Sequence, residues 1–488
     1  MPSSPLLIFA LSVLLLLYIA SQRLTSPIAG IPGPVLASLS RVWMAYHSYR
    51  GRMHIVMREL HSRYGSLVRT APNEISVADI SAIKEIYGPG SKFRKGPWYS
   101  VWKGTQKVDL FAERDIGVHA ALRRNVSRMY SMSSVTSLEP WVDNAISCFM
   151  DQMRDRVNQP IDFGMWLQLL AFDVIGEISF SRRLGFLEAG QDDGTLNRIE
   201  RALRSLCWVG QVPWVYWLEH YLSPIFGYHL DVKLRHGKIR NTAAKEVSAR
   251  KTRQTEHQDI LGHLFQVQQA RPDQVDENAV TSIATANIFA GSDTTAISLR
   301  AVFYFLLKNP RCLNKLRDDI QTRHADGRLS FPVRFSQASD MPYLQACINE
   351  ALRLHPAVGM SLPRVVPPGG MTIGSQFIPE GTIVGANAWV IHRDPAVWGA
   401  DVETYRPERW IEGNRGEMER CFLAFGGGAR SCIGKNISIL EMSKLIPAIL
   451  HTFQIELEEP DRPLEEKCYW FVKQEGFVVR MSLRRVEA

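Results

Sequence analysis

The chain has 488 residues, of which 57 are basic and 49 acidic, giving a formal net charge of +8. The basic residues are spread along the sequence and form neither a concentrated stripe nor a nucleic-acid-binding module, which excludes a nucleic-acid partner. Hydrophobic residues make up 45% and charged residues 22%, and the sequence has no repeat or low-complexity tract. This composition predicts one large, mostly helical domain.

An uncharged apolar run at residues 6–20 opens the chain. A membrane-spanning helix needs about 17–25 apolar residues, so this run lies at the short end of that range. A cleaved signal peptide is the alternative, but no basic segment precedes the run and no clean cleavage site follows it. The nearest basic residues all lie downstream, which predicts that the main domain faces the cytosol. We therefore expect a membrane anchor at 1–23, a hinge at 24–40 around the sequence IPGP, and a single domain at 41–488.

Aromatic residues are concentrated in two stretches, 93–111 and 208–228, the second with seven aromatics in 21 positions. Ordinary core packing would explain any single ring. As clusters, they predict an apolar roof over a substrate pocket, close to a membrane interface. Residues 358–362 and Phe477 are further candidates for the pocket lining.

A long helix is predicted at residues 276–308, ending at an Asn-Pro pair. Its middle reads AGSDTT, in which the Thr294 hydroxyl can divert a backbone hydrogen bond and open a groove. Apolar neighbours on both sides leave little room for a solvent-exposed face at Asp293.

A second helix is predicted at residues 342–354, with Glu350 and Arg353 three positions apart on one face. A basic helical segment carries His119 and Arg123, whose spacing of four also gives them a common face. Two glycosylation sequons, at Asn125 and Asn436, are interpreted as chance matches.

Residues 425–434 read FGGGARSCIG and are followed by a predicted helix that begins at Lys435. Three glycines let the backbone turn tightly and approach a bulky planar group. Cys432 precedes a helix N-terminus, an environment that lowers the pKa of a thiol and stabilises a thiolate. Arg430 has the planar donor geometry to bind a carboxylate. The other six cysteines are scattered and include no Cys-x-x-Cys pair, which argues against a disulfide framework or a zinc site.

These motifs resemble those of the cytochrome P450 family, in particular its microsomal, fungal-type members, over essentially the whole chain. The loop is similar to the family's haem-binding signature, with Cys432 as the axial ligand of the haem iron and Phe425 and Arg430 as haem contacts. The resemblance implies a mainly α fold with small β-sheets. The haem would lie between the long central helix and the helix that follows Cys432.

The resemblance also implies roles for residues outside the loop. Asp293 and Thr294 would deliver protons to iron-bound dioxygen, and Gly291 would leave room for the dioxygen. His119, Arg123 and Arg364 would bind the haem propionates, although relatives commonly carry Trp at the first position. Lys95 is a weaker candidate for the same role. A buried network behind the haem would consist of Glu350, Arg353 and Arg409.

The function implied is a monooxygenase that inserts one atom of O₂ into a lipophilic small molecule, in fungal secondary metabolism. Electrons would come from NADPH through a separate reductase, with cytochrome b5 as a second donor, docking near Lys435, Lys444 and Arg430. The protein would be a single-pass protein of the endoplasmic reticulum membrane. The alternatives are a detoxifying enzyme, an isomerase or dehydratase that needs no O₂, and a haem sensor. The intact Asp293–Thr294 pair argues against the last two.

Overall fold

The computed structural model describes residues 13–255 and 258–484. Most of the structure is helical, and the helices of eight or more residues are α1 Val42–Tyr49, α2 Met53–Tyr64, α3 Ile80–Tyr87, α4 Ile116–Val126, α5 Glu139–Arg154, α6 Phe163–Phe180, α7 Thr195–Val209, α8 Pro213–Phe226, α9 Arg240–Thr252, α10 Ile260–Ala270, α11 Glu277–Lys308, α12 Pro310–Ala325, α13 Pro342–Leu354 and α14 Lys435–Thr452. Shorter helices join them at Val35–Leu39, Tyr99–Lys103, Met132–Ser137, Phe186–Ala189, Val232–Leu234, Phe335–Ser339, Ala388–Ile391, Pro395–Trp398, Arg409–Glu412 and Arg415–Cys421.

The strands form small sheets beside this helical body. Their bounds are β1 Leu67–Ala71, β2 Glu74–Val77, β3 Arg94–Lys95, β4 Pro160–Asp162, β5 Arg364–Val365, β6 Met371–Ile373, β7 Gln376–Ile378, β8 Ile383–Gly385, β9 Phe453–Leu457, β10 Glu465–Tyr469, β11 Phe471–Glu475 and β12 Val478–Leu483. One sheet has the order β1-β2-β8-β5-β3 and another β4-β12-β9, while β6-β7 and β10-β11 are hairpins. The prediction of a mainly α fold with small sheets is confirmed.

The central helix α11 organises the larger of two hydrophobic cores. Asp276 caps it by accepting a hydrogen bond from the Ala279 amide, and the helix ends before Pro310. Its 32 residues span about 48 Å, enough to cross the domain. The predicted boundaries of this helix and of α13 are confirmed, because caps and proline residues mark them in the sequence.

The predicted hinge at 24–40 packs onto the domain. Ile28 and Ile31 are buried in the second core, which surrounds the five-stranded sheet, and the Pro32 carbonyl accepts a hydrogen bond from the Arg69 amide at 2.7 Å. Apolar burial therefore fixes this segment against the sheet, and its role in orienting the domain on a membrane remains a prediction.

The predicted anchor lies partly outside the described residues, because these begin at Val13. Residues 13–20 are helical, and Leu14–Leu17 are exposed. Among the described helices, one is long and apolar enough to cross a membrane, Phe163–Phe180, and 89% of it is buried within the protein. That helix is a core element, and the anchor remains a prediction.

Candidate active site

The loop around Cys432 is held in shape by its glycines. Gly426 and Gly428 adopt positive φ angles of 68° and 55°, and a Cβ atom on Gly428 would collide with the Tyr87 carbonyl oxygen. Only glycine satisfies both requirements. The Cys432 amide then donates to the Phe425 carbonyl at 2.7 Å, which closes the loop directly before α14.

Cys432 lies deep within the molecule, yet its side chain is exposed and faces an open internal space. Burial raises the pKa of its thiol, while the Gly434 and Lys435 amides and the Arg123 charge act in the opposite direction. The expectation of a lowered thiol pKa is therefore wrong for the protein alone, because desolvation outweighs the helix N-terminus. The thiolate needs a cation at the sulfur, which an iron ion would supply.

The central helix α11 faces the same space as Cys432. Tyr130 connects the two helices, since its hydroxyl bonds to Asn287 Oδ1 at 2.7 Å and its carbonyl accepts from Asn436 Nδ2 at 2.8 Å. Ala290 is exposed in the middle of an otherwise buried helix, and Thr294 is partly exposed one turn later.

The Thr294 hydroxyl donates to the Ala290 carbonyl at 2.8 Å, as its position in the motif predicts. The reason given for Gly291, that it leaves room for dioxygen, is corrected. A Cβ atom there would lie 2.9 Å from Ile175 Cδ1, so the glycine lets α6 pack against α11. The open surface belongs to Ala290 and Thr294.

Asp293 is buried and receives a hydrogen bond from Gln168. Burial raises the pKa of its carboxyl, and the charges of Lys473 and Arg300 counteract this rise. A small cavity on this side of α11 is lined by Asp293 together with Glu200 and Lys473, which form an ion pair at 2.9 Å. Asp293 therefore lies between the open face at Thr294 and a charged surface pair.

Five basic side chains gather beside the loop, namely Lys95, His119, Arg123, Arg364 and Arg430. Their hydrogen-bond acceptors are neutral: Arg123 donates to the Ser431 carbonyl at 2.8 Å, Arg430 to the Glu113 and Asp115 carbonyls, Lys95 to the Phe111 carbonyl, and Arg364 to the Pro363 carbonyl. Within the described part of the chain, none of the five forms an ion pair with a carboxylate.

The basic groups of this cluster lower one another's pKa values, because their positive charges repel. Burial lowers the pKa of His119 to about 3, with further lowering by Arg430, Lys95, Arg123 and Arg364. Burial and the neighbouring Arg364 lower the pKa of Arg430 to about 10. An uncompensated buried cluster of cations costs free energy that a bound anion removes. A haem, with an iron for Cys432 and two propionates for these cations, fits this donor set.

The predicted Glu350–Arg353–Arg409 network forms as a fully buried unit. Glu350 accepts from Arg353 Nε and from Arg409 Nε, both at 2.9 Å, and from Trp410 Nε1 at 3.0 Å. Arg353 also donates to the carbonyls of His392 and Val402, at 2.8 and 2.7 Å. The network ties α13 to the segment that leads into the cysteine loop.

A family model described as Cytochrome P450 matches residues 32–479. The chain belongs to the cytochrome P450 family. It is 39% identical over 457 residues, 90% of each chain, to "Cytochrome P450 monooxygenase hepC" of Aspergillus oryzae. It is 38% identical over 474 residues, 95% of each chain, to "Cytochrome P450 monooxygenase cicH" of Emericella nidulans. To the pisatin demethylase of Fusarium vanettenii it is 37% identical over 488 residues, 96% of this chain and 91% of the relative.

Family membership makes this P450 an oxidoreductase with a thiolate-ligated haem. A haem held at Cys432, the predicted ligand, would supply an iron centre able to activate dioxygen. The predicted roles of Asp293 and Thr294 and of the propionate-binding residues remain predictions that the arrangement above is consistent with.

The two aromatic stretches differ in how deeply their rings are buried in this P450. Trp98, Tyr99 and Trp102 are buried and pack around Trp470, with the Trp98 and Trp470 rings stacked at 4.5 Å. This buried aromatic cluster lies in the stretch predicted to form the roof, and its position over a substrate remains a prediction. The stretch at 208–228 lies largely outside it, because α8 directs most of its rings outward: Trp214, Tyr221, Phe226 and Tyr228 are exposed.

Sequence reasoning missed residues that reach the roof from distant segments. The ring centroids of Phe289, on α11, and Trp102 are 5.9 Å apart. The guanidinium carbon of Arg235 lies 5.6 Å from the centroid of the Phe289 ring. No local motif marks Arg235, which is brought here by the segment between α8 and α9. Phe477, a predicted lining residue, instead packs in the core against Phe163 and Tyr304.

Proposed function

We propose that this P450 is a monooxygenase that inserts one oxygen atom from O₂ into a lipophilic small molecule of fungal secondary metabolism. The observation that carries the proposal is the pairing of the partly exposed Thr294 hydroxyl with the buried Asp293 carboxyl behind it. An enzyme without O₂ chemistry has no need of a buried acid beside an open hydroxyl on the central helix.

Each residue has a separate task. Asp293, whose pKa is raised by burial, relays protons from the side of Glu200 and Lys473. The Thr294 hydroxyl presents a donor to the open face beside Ala290 and is oriented by the carbonyl to which it bonds. Trp102 and its aromatic neighbours exclude water above this face.

The redox partner is a flavoprotein reductase that carries electrons from NADPH, with cytochrome b5 as a second donor. Exposed Lys435, Arg124 and Arg128 support a docking surface near Cys432. Lys444, predicted to belong to this surface, does not: it is buried and paired with Glu139 and Asp143.

We also propose a single-pass anchor in the endoplasmic reticulum membrane, with the catalytic domain in the cytosol. Exposed apolar residues support contact with lipid, both on α8 at Trp214 and Ile225 and near the N-terminus at Leu36. Arg41 bonds to the Gln211 carbonyl at 2.7 Å, which joins the two regions. Carbonate extraction of microsomes should leave the full chain in the pellet and release a variant that lacks residues 1–23.

The test of the thiolate assignment is carbon monoxide binding to the reduced protein. The purified chain should give the red-shifted Soret band of a thiolate-ligated haem, and Cys432→Ser should lose it. Cys421→Ser is the matched control, because that buried cysteine lies outside the loop. A band that survives Cys432→Ser would refute the assignment.

A second candidate reaction is oxidative demethylation of a metabolite or xenobiotic. The 37% identity to the pisatin demethylase favours it. In that reaction a methyl ether, O₂, two electrons and two protons give an alcohol, formaldehyde and water. Formaldehyde release in step with NADPH consumption distinguishes demethylation from simple hydroxylation.

A further inference from the structure

Two buried N–H donors at the roof lack a hydrogen-bond partner. They are Trp102 Nε1 and Arg235 Nε, on side chains whose residues are 2% and 6% exposed. A buried donor without an acceptor costs free energy, so native proteins satisfy nearly all of them. Two such donors on contacting residues therefore indicate a missing acceptor.

Four other buried indoles in this protein have a hydrogen-bond acceptor. The ring nitrogens of Trp389, Trp398 and Trp410 donate to acceptors at 2.9–3.0 Å, and that of Trp98 donates to the Cys207 carbonyl at 3.3 Å. Trp98 lies beside Trp102, with ring centroids 5.1 Å apart. Of these two adjacent indoles, Trp98 has an acceptor and Trp102 has none.

Arg235 is rigidly positioned. One terminal nitrogen of its guanidinium pairs with Asp109 at 2.5 Å, and the other donates to the Trp102 carbonyl. The guanidinium also lies 5.5 Å from the Trp102 ring and 5.6 Å from the Phe289 ring. Both terminal nitrogens thus have an acceptor within the protein, and Nε is the nitrogen of this guanidinium that has none.

The two donors belong to residues that pack against the central helix next to its exposed Ala290. Trp102 and Arg235 both contact Phe289, and Phe289 immediately precedes the exposed Ala290. The surroundings of the two donors are mainly aromatic, because the ring centroids of Phe111 and Trp470 lie 5.1 and 5.9 Å from that of Trp102. Such walls favour a flat aromatic or conjugated molecule.

The charge of Arg235 is already neutralised by Asp109. A carboxylate ligand would therefore introduce an uncompensated negative charge, whereas a neutral oxygen would not. We propose that Trp102 Nε1 and Arg235 Nε donate hydrogen bonds to a neutral oxygen acceptor of the substrate, a carbonyl on a planar aromatic ring system. This inference rests on the proposed function, because it takes the space beside Ala290 as the substrate site.

The test compares two flat tricyclic probes that differ only at one position, 9-fluorenone with a carbonyl and fluorene with a methylene. Binding to the haem-loaded enzyme is followed by the Soret shift and, independently, by quenching of tryptophan fluorescence. We expect fluorenone to bind about tenfold more tightly than fluorene, a difference that corresponds to about 1.4 kcal/mol.

Trp102→Phe keeps an aromatic ring but removes the donor, and it should reduce the preference for fluorenone without weakening fluorene. Arg235→Lys keeps the charge beside Asp109 and lacks the Nε–H group, so it should act in the same direction. Trp98→Phe is the matched control and should retain the preference. Equal affinities in the unaltered enzyme, no binding of fluorenone, or an unchanged preference in Trp102→Phe would each overturn the proposal. NADPH- and O₂-dependent formation of an oxygenated product by the same enzyme would show that the proposed function still holds, and an intact carbon monoxide band would show that the haem site is undamaged.

Discussion

The Thr294 hydroxyl donates a hydrogen bond to the Ala290 carbonyl, 2.8 Å away and one turn earlier on the central helix. This bond orients the hydroxyl on the open face of the helix. Thr294→Ala removes the donor, so we expect product formed per NADPH to fall by about tenfold, as for loss of a positioned acid. Hydrogen peroxide should rise correspondingly, and both are measured in the reductase-reconstituted enzyme.

Ser298→Ala provides the control for this variant. The Ser298 hydroxyl makes the same type of bond, to the Thr294 carbonyl at 2.8 Å, but it is buried away from the open face. Its removal should leave the ratio of product to peroxide unchanged. An equal effect of both substitutions would mean that helix geometry, and not the Thr294 donor, controls coupling.

The ion pair Glu200–Lys473 should set the pH dependence of turnover through Asp293. Lys473 lowers the pKa of Asp293, and Glu200 raises it. Lys473→Met should therefore move the basic limb of the pH profile of NADPH consumption, where a proton donor ionises, to higher pH, whereas Glu200→Gln should move it to lower pH. Shifts in the same direction for both variants would exclude Asp293 as the titrating group.

Arg123 should contribute to haem retention. It is partly buried beside Cys432 and has a neutral hydrogen-bond partner in the Ser431 carbonyl. Arg123→Leu removes a charge-assisted bond worth about 1.5–3 kcal/mol, so haem transfer to apomyoglobin should accelerate by roughly tenfold or more. The exposed neighbour Arg124 supplies the control, since Arg124→Leu should leave the transfer rate unchanged.

The buried Glu350–Arg409 pair should be essential for stability. Arg409→Leu leaves the Glu350 carboxylate with one fewer cation, and breaking a buried pair costs about 3–5 kcal/mol. We expect a lower thermal midpoint and a lower yield of haem-loaded protein. Arg415→Leu, which breaks an exposed pair with Glu419, should lower the midpoint little.

Glu441 on α14 should make stability fall as pH rises. Burial raises the pKa of its carboxyl from 4.5 to about 8, and one of its oxygens has no partner. The folded protein therefore binds a proton up to about pH 8 that the unfolded chain releases above about pH 4.5. Stability is lost as pH rises through this window, by about 3 kcal/mol at pH 7.

Glu441→Gln is neutral at every pH and should flatten this dependence. Thermal midpoints of the two proteins at pH 5 and pH 8 provide the measurement, and the gain of the variant should be larger at pH 8. A variant that loses stability equally at both values would show that the carboxyl is not the group responsible.

Helix boundaries and the cysteine loop could be predicted because their determinants are local. A capping Asp276, the proline after α11 and the glycines before Cys432 act on the backbone within a few residues, so the sequence displays them directly. The resemblance to a family added the Glu350 network, whose members lie on separate segments. The contacts among these residues depend on the tertiary fold, which the sequence indicates only through the resemblance to the family.

The face that a helix buries and the contacts between distant residues could not be predicted in this way. The aromatic stretch at 208–228 gave no indication that α8 would expose Trp214 and Tyr221, because composition does not specify which face a helix buries. Likewise, Gly291 served helix packing against Ile175 and not an open space. The raised pKa of Cys432 arose from desolvation, which depends on the surrounding atoms and not on the loop alone.

The sequence by itself determined the family and the extent of the central helix, and it predicted Cys432 as the iron ligand, because these depend on local spacing and backbone chemistry. Only the tertiary structure decided that five basic side chains converge without a carboxylate partner, and that Asp293 reaches a charged pair on the far side of its helix. It also brought the donors of Trp102 and Arg235 together from positions 133 residues apart. Burial and electrostatics are sums over neighbours in space, and they become defined only when the chain is folded.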